Sequence, residues 1–252
     1  MERERLDILV QRFAGVSRSK AQGLIHTGHV FDAAGNRLDK PGQRLPEDTP
    51  LDIREPEGYV SRGGDKLEAA IQAFQPALRG RVAIDVGAST GGFTHCLLEH
   101  GAGRVYAVDV GYGQLAWALR QDNRVVVMER RNIRHVTPEE FDPAPSFFTA
   151  DCSFISLRVV LPAVTPLLGR SPEGIALIKP QFEAGRAQVG KGGVVRDEAV
   201  RAGVVDEVCT AARALGFQEI DVIPSPLLGP AGNVEFLAYL HHFTGGHPGR
   251  PG

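Results

Sequence analysis

The spacing of hydrophobic residues changes near residue 57 and divides the chain into two parts. In the first part, apolar residues recur every three or four positions and predict two short amphipathic helices, followed by the strand-like stretches HVF and LDI on either side of a Gly-Asn turn. The apolar positions of the two helices are Leu6, Leu9, Val10, Phe13, Ala21, Leu24 and Ile25. This pattern predicts a small α+β unit of about 55 residues, which the charged stretch REPEGYV links to the rest.

From Arg81 onward, short and nearly continuous apolar strands alternate with helical stretches. This alternation is typical of a parallel, doubly wound α/β sheet that is buried on both faces. The predicted strands are VAIDVG, RVYAVDV, RVVVM, SFFTAD, GIALIKP, FQEIDVI and VEFLAYL. The last two are separated by PSPLLGPAGN, which is too rich in Pro and Gly for a long helix, so they predict a terminal antiparallel hairpin. We therefore expect domains at residues 1–57 and 58–242, followed by a disordered tail at residues 243–252.

One further helix is predicted just before the first of these strands, in the stretch YVSRGGDKLEAA. Leu67 and Ile71 share one helical face. Asp65 and Glu68 predict a capping box, with Asp65 as the N-cap. Lys66 would then lie in the first turn, where its charge opposes the helix dipole. From this stretch alone, Lys66 is either a solvated residue or one that is placed for a partner site.

Composition narrows the class of protein. Of the 252 residues, 42% are hydrophobic, which is typical of a globular chain with a sizeable core. The formal net charge of −2 gives no global support for nucleic-acid binding, so local clusters would have to supply it. The three cysteines lack CxxC spacing, so we expect no disulfide framework and no metal site, and a reducing cytoplasm fits best. No apolar run has the length of a membrane span, and MERERLD is not a signal peptide.

The stretch DVGASTGGF ends the first strand of the sheet and opens a helix, as a nucleotide-binding turn does. Asp109 ends the next strand, where its carboxylate can accept hydrogen bonds from a ribose diol. GxxxGG spacing and the acidic residue Asp85 favour S-adenosylmethionine over the dinucleotide of an NAD(P)-dependent oxidoreductase, which is the competing interpretation. The predicted cofactor-binding residues of these two strand ends are Asp85, Gly87, Ala88, Ser89, Thr90, Gly91, Gly92, Phe93, Asp109 and Val110.

Polar residues also stand at the ends of other predicted strands. Asn132 and Ile133 follow the third strand and either border an adenine ring or form a plain loop. Asp151 ends the fourth strand and Lys179 closes the fifth, so both are expected at the ligand-binding edge of the sheet. The alternatives are that Asp151 caps a helix and that Lys179 is a solvated residue at the end of a strand. Glu235 starts an otherwise apolar strand, where a carboxylate calls for a partner such as a lysine.

The loop after Lys179 is basic and rich in glycine. It contains Arg186, Lys191 and Arg196, with four glycines between positions 185 and 193. A flexible basic loop of this kind suits an anionic backbone, and ordinary surface charge is the alternative.

The order of four segments along the chain is specific: SRGGDKLEAA, DVGASTGGFT, ALIKPQFE and GKGGVVRD. With these segments the chain resembles the RNA 2′-O-methyltransferases related to FtsJ. Its full layout is similar to that of the TlyA, or hemolysin-A-type, ribosomal RNA methyltransferases. The resemblance implies a Rossmann-like S-adenosylmethionine-dependent methyltransferase domain with a mostly parallel seven-stranded sheet. It also implies a catalytic tetrad at Lys66, Asp151, Lys179 and Glu235.

The first 55 or so residues resemble an S4 RNA-binding domain, with SRSKAQGLIHTGHV as the core motif. Residues 1–58 contain nine Lys and Arg against ten Asp and Glu, so binding to RNA would depend on a one-sided arrangement of charge. The residues predicted to contact RNA are Arg5, Arg12, Arg18, Lys20, Arg62, Arg186, Lys191 and Arg196.

The resemblance implies 2′-O-methylation of cytidine in ribosomal RNA within one or both ribosomal subunits, with S-adenosylmethionine as cofactor and no membrane partner. We expect Lys179 to act as general base, Asp151 to orient it and Glu235 to position Lys66. Two further interpretations remain: a ribosome assembly factor with a vestigial cofactor site, and a membrane-lytic protein, which only the hemolysin name suggests.

Overall fold

The structure, a computed structural model, describes residues 3–26, 28–53 and 58–245. The chain divides into the units Met1–Gly58 and Tyr59–Gly252. The elements of the first unit are β1 (Arg3–Arg5), α1 (Leu6–Ala14), α2 (Arg18–His26), β2 (Val30–Asp32), β3 (Arg44–Pro46) and β4 (Leu51–Ile53). Strand β1 pairs with β3 and β2 with β4, in two antiparallel ribbons.

A small apolar core, which includes Leu6, Val10 and Ile25, holds this first unit together. The two predicted helices and the strands β2 and β4 are present, whereas β1 and β3 were not predicted because the charged stretches RER and RLP show no hydrophobic alternation. Phe13 was expected on the apolar face of α1 but is exposed. It lies in the last turn, directly before the helix ends in the left-handed cap at Gly15.

Seven strands of the second unit form one sheet. They are β5 (Val82–Val86), β6 (Arg104–Asp109), β7 (Val125–Glu129), β8 (Phe147–Ala150), β9 (Glu173–Ile178), β10 (Phe217–Pro224) and β11 (Phe236–Phe243). Their spatial order is β10-β11-β9-β8-β5-β6-β7. Strands β5 to β9 are parallel, and β11 runs antiparallel to both β9 and β10. The predicted mostly parallel sheet with a terminal antiparallel hairpin is confirmed.

Six α-helices of the described residues 58–245 accompany the sheet, which is buried on both faces. In β5, Ile84 and Val86 belong to one apolar cluster and Ala83 to another. Because alternate residues of a strand point to opposite faces, the two clusters cover the two sides of the sheet. The helices are α3 (Arg62–Phe74), α4 (Gly92–Glu99), α5 (Trp117–Gln121), α6 (Leu157–Val164), α7 (Pro180–Glu183) and α8 (Glu198–Leu215).

The start of α3 differs from the prediction. The N-cap is Ser61 instead of Asp65, so Lys66 lies beyond the first turn and is buried. Glu68 makes no capping box, since its carboxylate accepts hydrogen bonds from the Tyr59 hydroxyl and from His100 Nε2. With Asp65 as the expected N-cap, the two glycines that follow Arg62 would precede the helix, but they lie within it.

Two predicted features lie partly or wholly outside the described residues. The structure does not describe positions 54–57 of the expected linker or positions 246–252 of the expected tail. Phe243, which we assigned to the tail, is instead the last residue of β11. Among the described residues, no helix combines the length and the apolar character that a membrane crossing requires.

Candidate active site

A cavity of about 510 Å³ lies at the carboxyl-terminal edge of the sheet. The strand order reverses here, because the chain runs from β5 to β6 and β7 on one side and returns to β8 on the other. Such a reversal leaves a crevice between the loops that follow the two central strands. Gly87 after β5, Asp151 after β8 and Lys179 after β9 all line the cavity.

The glycine-rich turn forms one wall of the cavity. Gly87 has a φ of +84°, and a Cβ atom on it would lie 2.5 Å from the carbonyl oxygen of Asp151. Its amide donates to the carbonyl of Val108, which ties the turn to the end of the neighbouring strand. Gly92 packs so closely on the start of α3 that a Cβ atom would lie 2.2 Å from Ser61 Oγ. Side chains at these two positions would therefore break both contacts that shape the turn.

Asp109 fixes the turn from the next strand. Its carboxylate accepts hydrogen bonds from the backbone amides of Ser89, at 2.8 Å, and Gly111, at 2.6 Å. A carboxylate has about four lone-pair positions, so that of Asp109 can accept further hydrogen bonds. Ser89 itself has a φ of +49°, which shows how tightly the backbone is bent at this point.

Lys66 and Glu235 form a buried ion pair at the wall of the cavity. The Nζ atom of Lys66 lies 2.5 Å from Glu235 Oε2, and the Glu235 side chain has no exposed surface. The amide of Gln181 donates to the other carboxylate oxygen at 3.4 Å. Glu235, whose carboxylate we expected to need a partner, therefore has two: the ammonium of Lys66 and the side-chain amide of Gln181.

Lys179 and Asp151 form a second pair on the same cavity. Lys179 Nζ lies 2.5 Å from Asp151 Oδ1 and 3.2 Å from the hydroxyl of Ser153. Asp151 is not a helix cap, because α6 begins later and Ser156 caps it. Nor is Lys179 a solvated strand-end residue, since its side chain is mostly buried.

The antiparallel strand β11 explains how residues so distant in sequence meet. In the β9–β11 register, Phe236 pairs with Ile178. Lys179 follows the last residue of β9 and Glu235 precedes the first residue of β11, so both lie at the same edge of the sheet. Helix α3, which packs on β11, brings Lys66 to this edge.

An exposed aromatic side chain stands at the mouth of the cavity. Phe154 is 90% exposed, and its ring packs on Phe182 with centroids 5.0 Å apart. Its φ of +65° is a rare conformation for a bulky residue. An exposed ring on a strained backbone indicates a functional constraint. The sequence prediction missed this residue, which stands in the motif ADCSFISL without a periodic signal.

Asp85 was expected to bind the cofactor, but the structure buries it completely below the turn. Its carboxylate accepts hydrogen bonds from the hydroxyls of Thr94, at 2.7 Å, and Thr149, at 2.8 Å. Burial, only partly offset by these hydrogen bonds, raises the pKa of Asp85 to about 6. Asp85 thus holds α4 and β8 against β5 and does not line the cavity.

The other predicted cofactor residues fall into two groups. Those of the turn that line the cavity are Gly87, Ala88, Ser89, Thr90, Gly92 and Phe93. Those that do not line it are Gly91, Asp109, Val110, Asn132 and Ile133, besides Asp85. Ile133 is buried in the core, and Asn132 caps a short 3₁₀ helix by accepting from the amide of Arg134. Neither residue faces the cavity.

The basic loop is more ordered than the sequence suggested. Asn233 is buried, accepts from the amide of Val195 and donates to the carbonyl of Gly193, which holds the loop against the cavity. Arg186, Lys191 and Arg196 are exposed on the loop, and Arg62 is exposed at the cavity. By contrast, Glu183, the last residue of α7, is buried and accepts hydrogen bonds from the hydroxyl of Ser156 and the amide of Leu157.

In the first unit, two of the predicted RNA-contacting residues surround a buried carboxylate. Asp7, which the sequence prediction missed, accepts from Arg5, Arg18 and Gln22. These donors, Arg5 foremost, hold the pKa of Asp7 well below its usual range despite its burial. Arg5 and Arg18 therefore stabilise this unit, although their side chains remain partly exposed. Arg12 is exposed and Lys20 half-buried.

The sheet is mostly parallel, has seven strands and includes the reversed strand β11, and the glycine-rich turn and the cavity lie at its switch point. These features define the class of Rossmann-like S-adenosylmethionine-dependent methyltransferases.

The FtsJ-like methyltransferase family matches residues 59–242. YqxC of Bacillus subtilis (strain 168), assigned as an rRNA methyltransferase, is 50% identical over 95% of this chain and 86% of its own length. The 16S/23S rRNA (cytidine-2′-O)-methyltransferase TlyA of Mycobacterium tuberculosis (strain CDC 1551 / Oshkosh) is 46% identical over 96% of this chain and 91% of its own length.

A solved structure of a hemolysin-type protein from Streptococcus thermophilus has a TM-score of 0.71 and 42% identity, and covers 97% of this chain and 90% of that one. The chain belongs to the TlyA/hemolysin A family, whose larger domain is an FtsJ-like methyltransferase. Its cofactor is accordingly S-adenosylmethionine.

Proposed function

We propose that this protein transfers the methyl group of S-adenosylmethionine to the 2′-hydroxyl of a cytidine in ribosomal RNA, within ribosomal subunits in the cytoplasm. The observation that carries the proposal is the convergence of two lysine–carboxylate pairs on one cavity beside the glycine-rich turn. The activity for which the Mycobacterium tuberculosis relative is named supports the choice of substrate.

The residues of the cavity fit this cofactor. Gly87 and Gly92 leave the turn free of side chains where a Cβ atom would collide with the neighbouring backbone or hydroxyl. The cavity of about 510 Å³ lies within the usual range of small-molecule sites. We assign the turn from Gly87 to Phe93 to binding of the cofactor, with Asp109 holding the turn and offering its remaining acceptors.

The cofactor supplies an electrophilic methyl group on a sulfonium and leaves as a neutral thioether. The protein must therefore make the ribose hydroxyl nucleophilic and hold it in line with the methyl carbon. In our proposal the neutral amine of Lys179 accepts the hydroxyl proton as the new oxygen–carbon bond forms. The ammonium produced lies 2.5 Å from Asp151, which stabilises it, and the hydroxyl of Ser153 helps to orient the same nitrogen.

Lys66 has a different role in this proposal. Its ammonium is held by Glu235 at the cavity wall and is largely removed from solvent. A fixed cation in such a position stabilises negative charge that develops on the ribose oxygen. Because Glu235 also accepts from Gln181, the position of this cation is set by two elements of the fold.

Phe154 is proposed to stack on the base of the target nucleotide. Proteins recognise single-stranded or extruded bases by stacking them on aromatic rings. The Phe154 ring is exposed at the cavity that contains Lys179, and Phe182 supports it from one side. The exposed cation of Arg62 at the same cavity suits the adjacent phosphate.

The first unit is proposed to be an S4-like RNA-binding domain, which together with the basic loop contacts the RNA backbone. The side chains of Arg12, Arg186, Lys191 and Arg196 are exposed. If these residues bind phosphates, Arg12→Ala and Lys191→Ala should each reduce the slope of log affinity against log salt by about 1. An unchanged slope would remove the residue concerned from the interface.

The test of the main proposal is transfer of tritium from labelled S-adenosylmethionine to separated ribosomal subunits and to naked rRNA, followed by mapping of the labelled nucleotide. We expect 2′-O-methylcytidine from the wild-type protein and from Lys40→Ala, an exposed lysine of the first unit. Lys179→Ala should give none while it binds the cofactor with unchanged affinity. Full transfer by Lys179→Ala would refute the role of this amine. Cofactor binding by the wild-type protein without transfer to any substrate would instead favour a non-catalytic ribosomal factor.

A further inference from the structure

The terminal hairpin β10–β11 carries a cluster of imidazoles and carboxylates outside the catalytic cavity. Glu219 pairs with His241 in the antiparallel register, and Asp221 pairs with Tyr239. Residues directly opposite each other, and residues two apart on one strand, share a face of a sheet. Glu219, Asp221 and His241 therefore project from the same face of the hairpin.

His242 would point to the opposite face in a regular strand, but its backbone departs from regularity. Its φ is +51°, a left-handed conformation that is uncommon for residues other than glycine. Its Nδ1 atom lies 3.8 Å from Glu219 Oε1, and His241 Nδ1 lies 3.6 Å from Glu219 Oε2. The unusual backbone thus brings a second imidazole to the same carboxylate, and such outliers often mark functional positions.

The orientation of His241 is fixed from two sides. Its Nε2 atom lies 3.0 Å from Asp221 Oδ2, and its ring stacks on Tyr239 with centroids 4.4 Å apart and planes at 13°. In the tautomer that donates from Nε2 to Asp221, Nδ1 offers its lone pair on the side of Glu219. A carboxylate that holds the far nitrogen of a histidine in this way is the usual support of a metal-binding imidazole.

The distances among the three candidate ligands match a small coordination sphere. One ligand atom from each of Glu219, His241 and His242 lies within 4.8 Å of the other two. With metal–ligand bonds of about 2.0–2.2 Å, neighbouring ligand atoms of a tetrahedral zinc ion are about 3.4 Å apart. The 3.6 and 3.8 Å separations differ from this by a few tenths of an ångström, and both are too long for hydrogen bonds.

We propose that Glu219, His241 and His242 bind one divalent transition-metal ion of the zinc type, with Asp221 orienting His241. Imidazole and carboxylate are ligands that such ions accept, and a set of three leaves a coordination position for water. The cysteine spacing, on which we based the prediction of no metal, contains no information about this site. It arises from histidines and acids of two different strands.

A second cluster, formed by Glu68, Cys96 and His100, also has metal-binding residue types. Its carboxylate is already bonded to His100 at 2.6 Å and to the hydroxyl of Tyr59. Burial raises the pKa of Cys96 to about 12, which disfavours the thiolate that a metal requires. This cluster carries no proposal, but an experiment must distinguish it from the hairpin site.

The test is a zinc titration of the full-length protein without an affinity tag, in competition with a chromophoric zinc chelator. We expect one zinc ion per chain for the wild-type protein. His242→Gly should weaken binding by at least about tenfold, without loss of thermal stability because glycine adopts a φ of +51° freely. His241→Gln should weaken binding at least as much, and Asp221→Asn by about 10–100-fold. Cys96→Ser, the matched control, should bind like the wild type.

Three outcomes would overturn the proposal. One is the absence of stoichiometric zinc binding by the wild-type protein. Another is loss of binding in Cys96→Ser with retention in His242→Gly, which would assign the ion to the second cluster. The third is retention in all four variants, which would place the ion elsewhere. Long-range correlation of imidazole ¹H and ¹⁵N signals provides an independent readout, because zinc should shift the Nδ1 resonances of His241 and His242 and leave that of His29 unchanged.

Discussion

Replacing Lys66 by Met separates the stability of the buried ion pair from its role in catalysis. Methionine matches the unbranched stem of the lysine and removes only the charge, so the packing of α3 on the sheet should persist. What remains is the carboxylate of Glu235, whose side chain is fully buried, without its cation. The second variant, Lys66→Met with Glu235→Met, removes both charges together.

The expected magnitude follows from the burial of the pair. Removing one partner of a buried ion pair costs about 3–5 kcal/mol of the free energy of unfolding. The amide of Gln181 stays as a donor to Glu235 at 3.4 Å, so we expect a value near the lower limit, about 3 kcal/mol. Replacing both charges by apolar residues of similar volume is often neutral or stabilising, so the double variant should recover most of this loss.

Trp117, the sole tryptophan of the chain, belongs to the methyltransferase unit, so its fluorescence during urea unfolding reports the stability of that unit. Methyl transfer to ribosomal subunits is measured on the same preparations. The stable double variant should remain inactive, because the cation is absent. The reasoning fails if Lys66→Met costs less than about 1 kcal/mol, if the double variant is no more stable than Lys66→Met, or if the double variant transfers methyl groups at the wild-type rate.

Three further variants test separate parts of the site. Gly87→Ala should reduce affinity for S-adenosylmethionine by at least about tenfold in equilibrium dialysis, since the new Cβ would lie 2.5 Å from the carbonyl oxygen of Asp151; unchanged affinity would contradict this. The pKa of Asp85 is raised from its ordinary 3.8 to about 6, so the folded state binds this proton more tightly and the free energy of unfolding falls as pH rises between these values. Asp85→Asn removes that fall. Its free energy of unfolding, measured by urea denaturation, should therefore rise by up to about 3 kcal/mol relative to that of the wild type between pH 4 and 7; parallel pH curves for the two proteins would argue against the raised pKa. Phe154→Ala should lower kcat/KM for RNA by about 5–150-fold and leave cofactor affinity unchanged, whereas Val159→Ala, an exposed control on α6, should have no effect; equal activity of the two variants would exclude the stacking role.

The strands and the positions at their ends could be predicted because their signals are local. The run VAIDV is apolar except for Asp85 and is followed by a glycine-rich turn, so both the strand and the cofactor turn could be predicted without knowledge of the fold. The helix bounds were less accurate at α3. There, Asp65 was expected as the N-cap, whereas the helix begins at Arg62 and includes Gly64, where a Cβ atom would lie 2.1 Å from Tyr59 Cγ.

By itself, the sequence determined which residue types stand at each strand end, and thereby the class of the fold, whereas the members of the candidate tetrad were implied by the resemblance to a known family. The pairs that we expected, Asp151 with Lys179 and Glu235 with Lys66, are formed in the tertiary structure, which alone decided that these side chains are largely buried. Because β11 lies antiparallel beside β9, the start of one strand meets the end of the other, and Glu235 meets Lys66 instead of solvent. The same packing buried Asp85, which was predicted to bind the cofactor, and it placed His241 of β11 opposite Glu219 of β10. Contacts between distant segments depend on register and strand direction, which no local pattern of hydrophobic residues encodes.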